Sequence, residues 1–308
     1  MPKSVYEKVH DYYFSEYSRL GTHQFHFFSR HYLWFKDSVS RKHLDRLRPY
    51  ILGTTKEEIN ERFERKLSGS QNKKQRVHQD LRKPYIEKYP LIEKYMKCLL
   101  HNLYMHTIYG KNLSEYLTRH IETQDLLSYR GQLLEDPSAL LTLSTLAINF
   151  LYTFDYYLEQ LGNTTNKLDP KRLLSIGLKQ GKDIKQKAPA LFIYYYTHCI
   201  INASNFYANP IQNHRDIYKQ MLRELELFIT ERYVDISLDN KFEFLVCCKL
   251  LNFQSTLETR IKHEANHSLS TRGDFLIDIQ NSCKINRTFA KSEHRNVLYL
   301  MAFGEENI

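Results

Sequence analysis

The spacing of the apolar residues constrains this chain more than any other feature. Over 136–161, DPSALLTLSTLAINFLYTFDYYLEQL, residues Leu140, Leu143, Ala147, Phe150, Leu151, Phe154 and Leu158 recur every three or four positions. On a turn of 3.6 residues these side chains share one face. Ile217, Met221, Leu225, Phe228 and Ile229 repeat the pattern, as do Phe242, Leu245, Val246, the stem of Lys249, and Leu250. No alternating strand pattern competes, and no Asn-Gly or Asp-Gly pair marks a hairpin turn. Only 10 glycines and 8 prolines serve 308 residues, too few turn formers for a typical sheet protein. The expected fold is therefore all-α: an irregular multi-helix bundle or stacked helical hairpins, with roughly 12–14 helices and no substantial sheet.

The prolines punctuate the helices. Asp136-Pro137, Asp169-Pro170 and Asn209-Pro210 each read as an N-cap followed by proline in the first turn, where its missing N–H costs nothing. Thr55-Lys-Glu-Glu58 matches a capping box. The periodicity predicts single long helices over 22–48, 84–108, 112–130 and 137–161, and further helices over 73–81, 170–185, 210–233, 254–270, 273–282 and 286–302. Linker composition is clearest at SGS (68–70) and GNTTN (162–166). The first of these suggests a helical N-terminal subdomain over 1–70 and a main helical domain over 71–308.

Charge is uneven. The net charge is +9, and the 41–88 stretch supplies most of it, with 14 Lys/Arg against 7 Asp/Glu. Arg41, Lys42, Arg46, Arg48, Lys73, Lys74, Arg76, Arg82 and Lys83 are the candidate contact residues. A basic patch of this kind suits phosphates or an acidic protein, and a solvated helix surface has the same composition. Five cysteines, at 98, 199, 247, 248 and 283, include no CxxC pair, which argues against a disulfide framework or a thiolate zinc site. With an opening, MPKSVYEKVH, too charged for a secretory signal, they point to the cytoplasm. Two uncharged stretches, Pro137–Phe154 and Ala188–His214, carry too many Thr, Ser and Asn residues for spanning helices and read as buried ones.

One segment carries recognisable chemistry. RIKHEANHSLS (260–270) contains His-Glu-x-x-His. On a helix, His263 and His267 lie one turn apart as zinc ligands and Glu264 sits beside them as general base. Over about ten residues it resembles the zincin metallopeptidase motif. The resemblance implies a third ligand from elsewhere, because positions 270 and 273 are Ser and Gly; Glu293 in KSEHRN is the natural candidate, with Asp274 or Asp278 behind it. A second pattern, Arg-x6-His, occurs at Arg19/His26, Arg260/His267 and Arg287/His294, and is seen in the helical ribonucleases called HEPN domains. In HQFHFFSRHYLWF (23–35), aromatics and histidines either form a surface for bases or a partner helix, or pack a core helix around the only tryptophan, Trp34. The 23 tyrosines, including the run 194–196, suit helix seams or a ligand pocket.

The expected function is non-enzymatic binding: a cytoplasmic helical protein with no cofactor, whose basic surface over 41–88 meets nucleic acid or an acidic protein. The alternatives are a zinc-dependent hydrolase using His263, His267 and Glu293 as ligands with Glu264 as base, and a HEPN-like ribonuclease.

Overall fold

The computed structural model describes residues 3–68, 78–163, 167–278 and 288–304. Its α-helices run, in chain order, α1 Val5–Ser15, α2 Gln24–Phe35, α3 Ser38–Ile51, α4 Lys56–Ser68, α5 Gln79–Lys88, α6 Ile92–Tyr109, α7 Ser114–His120, α8 Thr123–Leu134, α9 Pro137–Leu143, α10 Thr145–Gln160, α11 Pro170–Gln180, α12 Lys182–Lys187, α13 Pro189–Ala203, α14 Arg215–Glu231, α15 Leu238–Leu250, α16 Glu258–Asn266 and α17 Glu293–Phe303. The fold is all-α. Among the described residues the only extended pairing is an isolated antiparallel bridge, Leu269 to Leu276.

Backbone contacts divide the chain into two compact units. One joins the first 47 residues to those from 206 onward; the other spans 48–205. The first division falls inside α3, and the SGS linker expected at 68–70 lies largely outside the described residues.

In the 48–205 unit, α10 packs against both α6 and α13. Phe150, Leu151, Phe154 and Tyr157 of α10 are fully buried, as are Leu191, Phe192, Tyr195 and Tyr196 of α13. Each such side chain contributes about 1.5–3 kcal/mol of transfer free energy. The tyrosine run resolves as helix seam: Tyr195 and Tyr196 donate to the carbonyls of Leu173 and Leu174 at 3.0 and 3.1 Å, satisfying hydroxyls that burial would otherwise penalise. In the other unit, α15 and α2 both pack against α17. Phe27, Phe28, Trp34 and Phe35 of α2 are buried there, so the 23–35 aromatics form core and not a stacking surface.

Several helices predicted as continuous are broken, each for a local reason. The 22–48 helix breaks at Lys36, which takes a left-handed conformation (φ 53°), and Asp37 caps the next helix by accepting from the Ser40 amide at 2.7 Å. The 137–161 helix bends by 105° at Ser144, whose hydroxyl donates to the Leu191 carbonyl at 2.8 Å. The bend frees the last carbonyls of α9, and Arg82 donates to those of Thr142 and Leu143. Pro84 does not end a helix: α5 runs through it, losing one bond whose acceptor, on Asp80, lies on an exposed residue. The break falls instead around Pro90, before α6. The 112–130 helix is interrupted between α7 and α8, where Ile121 is extended. The described part of 273–282 is not helical. Gly273 (φ 71°) closes a turn, and hydrogen bonds from Ser270 to Phe275 and from Ile277 to Ser268 form a minimal hairpin.

Among the described residues no single helix is long and apolar enough to cross a membrane. The pair α9–α10 passes that test only jointly, across its sharp bend.

Candidate functional site

The His-Glu-x-x-His segment folds as the end of α16, a nine-residue helix whose Ile261 and Ala265 are buried. That four-residue spacing packs the helix toward α15 and turns the next face outward. His263 and His267 are exposed there, with ring centroids 4.4 Å apart. His267 is the C-cap, and its Nδ1 donates to the His263 carbonyl at 2.8 Å, which leaves Nε2 as the outward nitrogen. Together with Glu264, Tyr233, Arg260 and Ser268 they line an open cleft of about 380 Å³.

Glu264 is already engaged. Its two oxygens accept from Lys241 Nζ at 3.0 and 2.8 Å. Lys241, on α15, has a side chain with no solvent exposure. Burial pushes its pKa down, and the Glu264 carboxylate partly restores it. Lys241 Nζ also lies 3.9 Å from the centroid of the Tyr233 ring, and the Arg260 guanidinium lies 3.5 Å from it, so the ring face meets two cations. Both Glu264 oxygens are taken up by Lys241, so general-base work by Glu264 would require Lys241 to move away.

Glu293 does not line this cleft. It is buried at the start of α17, its nearest cation being Arg30 at 3.6 Å. Desolvation pushes its pKa up despite Arg30, and its Oε1 accepts no hydrogen bond among the described residues. Asp274 accepts from Ser270, and Asp278 is buried. Among the described residues no three His, Cys, Asp or Glu side chains gather as a metal-ligand set. Arg260 and His267 do share the cleft. Arg19 and His26 lie on separate elements, and Arg287 falls outside the described residues.

Lys241 and Tyr233 were missed by motif reasoning. A signal exists for the lysine: in LDNKFEFLVCCKL it occupies a position between apolar residues where a charge must be paired or deprotonated. Nothing local marks Tyr233.

The basic segment resolves into unlike parts. Lys73, Lys74 and Arg76 lie outside the described residues. Arg82 is buried and acts on the α9 carbonyls, so it is not a surface cation; a side chain with five donors is matched there to carbonyls left over at a helix end. Arg41 pairs with Asp45 one turn on and lies 5.6 Å from the Tyr32 ring centroid. Arg48 lies over the Tyr109 ring at 5.7 Å. Lys42, Arg46 and Lys83 are exposed, and no acidic group within ion-pairing distance of them is found among the described residues. Lys42 and Arg46 are one turn apart on α3, on the same helix face. Their field is felt locally: burial lowers the pKa of His43, and Arg46 and Lys42 lower it further.

Comparison with known protein families, characterised proteins and solved structures gave no match.

Proposed function

We propose that this chain is a cytoplasmic, non-enzymatic helical binding protein whose exposed cationic face on α3 meets nucleic acid or an acidic protein partner. The observation that supports this reading most is the pair Lys42 and Arg46. They stand together, exposed, with no acidic neighbour at ion-pairing distance among the described residues, and His43 registers their field. Surface cations more commonly sit beside acids, as Arg41 does beside Asp45. An unneutralised pair can replace counterions condensed on a polyanion, which are then released to solution.

The test is a titration of the full chain with a single-stranded oligonucleotide, a duplex and an acidic polypeptide at several salt concentrations. One of the three should bind, with affinity falling steeply as salt rises. Lys42→Gln/Arg46→Gln should lower the slope of log affinity against log salt by about 1–2, as expected for two lost phosphate contacts. Absence of binding to all three at low salt rejects the reading.

A second reading is a zinc-dependent hydrolase, and one observation favours it: His263, Glu264 and His267 line a single open cleft. His263 and His267 would be ligands, and Glu264 the base once released from Lys241. Metal analysis after zinc loading decides between the two. Stoichiometric zinc lost in His263→Ala supports the hydrolase. The ribonuclease reading would use Arg260 and His267 in the same cleft, and requires RNA cleavage that disappears in His267→Ala.

A further inference from the structure

We propose that the cavity beside Trp34 is a binding site for a phosphate-class anion, free or as a monoester. The cavity measures about 140 Å³ and lies wholly within the unit that joins the two chain ends. It is lined in part by Trp34, Lys36, Tyr207, Arg215, Lys249 and Asn252. Three of these are cations, and no acidic side chain lines the cavity. That imbalance separates it from the cleft at His263, where Glu264 neutralises Lys241.

Two of the cations, Arg215 and Lys36, are held by backbone carbonyls. Arg215 donates to the carbonyls of Ile211 and Leu251 at 2.8 and 2.9 Å, and Lys36 donates to the Ala208 carbonyl at 3.2 Å. Carbonyls orient a cation without cancelling its charge. Burial lowers the pKa of Lys36, and an anion in the cavity would oppose that shift. The indole N–H of Trp34 is buried with no acceptor among the described residues. The backbone here is strained in the left-handed region at Phe206 (φ 55°), Tyr207 (φ 72°) and Asn252 (φ 49°), a cost that recurs at ligand clamps. The volume suits a tetrahedral oxyanion with a few waters and is too small for a nucleotide. The site is independent of the α3 face argued above.

Trp34 is the only tryptophan, so its fluorescence reports on this cavity alone. The full chain is titrated with sodium phosphate and, separately, with methyl phosphate, at constant ionic strength against sodium chloride, with calorimetry in parallel. A saturable response to at least one phosphate, absent with chloride, is expected. Tighter phosphate binding identifies a free anion as the ligand, and tighter methyl phosphate binding identifies a monoester. Lys36→Gln/Lys249→Gln should weaken binding at least about tenfold while Lys36→Arg retains it. Lys42→Gln/Arg46→Gln should leave it unchanged, which separates this site from the polyanion face. No saturable binding of either phosphate by either method overturns the proposal, as does undiminished binding by the folded double variant. If the double variant does not fold, the wild-type titrations and the single variant Lys249→Gln decide.

Discussion

Helices α13 and α15 are each buried on nearly all sides, one in each unit, and they are built in opposite ways. α13 buries Leu191, Phe192, Ile193, Tyr195, Tyr196, Cys199, Ile200 and Ile201 and contains no charged residue. Its polar groups are satisfied close to home, as when the two tyrosine hydroxyls meet carbonyls of α11. α15 buries Lys241 and Glu243 among Phe242, Phe244, Leu245 and Val246. At its start Asp239 accepts from Arg295 at 2.6 Å, and Lys241, two residues on, holds Glu264. An apolar helix gains from burial at every position, whereas a buried ion pair must first recover its desolvation. Charges kept in such a place mark a candidate functional site.

The comparison can be broken most decisively in the apolar unit. Phe154→Ala opens a cavity where the ring was fully buried, and should cost about 3–5 kcal/mol in urea unfolding. A loss below about 1 kcal/mol would mean that this core is loosely packed and the contrast with α15 is false. Next comes the ion pair. Glu264→Gln leaves the Lys241 ammonium buried without its partner and should cost about 3 kcal/mol, at the low end for a broken buried pair because Glu264 is partly exposed. Replacing both, Lys241→Met/Glu264→Leu, should restore most of that loss. Failure of the double variant to recover would show that the pair stabilises the unit outright.

Acid sharpens the comparison through His31 and Asp37. Burial alone would raise the Asp37 pKa, but hydrogen bonds from His31 Nδ1 and the Ser40 amide hold it at about 2, below its ordinary 3.8. Burial pushes His31 down from 6.5, with Asp37 opposing. Both lowered values act in one direction. The Asp37 contribution, about 2 kcal/mol, is complete above 3.8 and disappears as the pH falls through about 2. The His31 contribution is complete above 6.5 and erodes as the pH falls through its lowered value. Asp37→Asn should therefore flatten the acid limb of a stability-against-pH curve, with the difference from wild type shrinking toward pH 2. An unchanged curve would show that the dyad does not form in solution. The smallest effect belongs to the surface: Lys42→Gln/Arg46→Gln should change stability by less than about 0.5 kcal/mol, whatever it does to binding.

Local spacing was enough to read the fold class. The three- and four-residue recurrence over 136–161 and 216–233 did produce α10 and α14, and the Asp-Pro starts at 137 and 170 did cap helices: Asp136 and Asp169 accept from the amides of Ala139 and Lys171. The breaks were harder, because a residue such as Ser144 looks helical until the Leu191 carbonyl arrives to hold its hydroxyl from 47 positions away. The same holds for the sites. His263, Glu264 and His267 share a face because a helix of 3.6 residues per turn requires it, and that much was legible. Whether Glu264 is a free base or the partner of Lys241 depends on a side chain 23 residues earlier, and whether Arg82 is a surface cation depends on a helix end 60 residues later. Periodicity is a property of neighbours along the chain, so the sequence alone determined which segments coil and which faces turn inward. Charge pairing and burial are properties of neighbours in space, and only the tertiary structure decided which cations remain open to a partner.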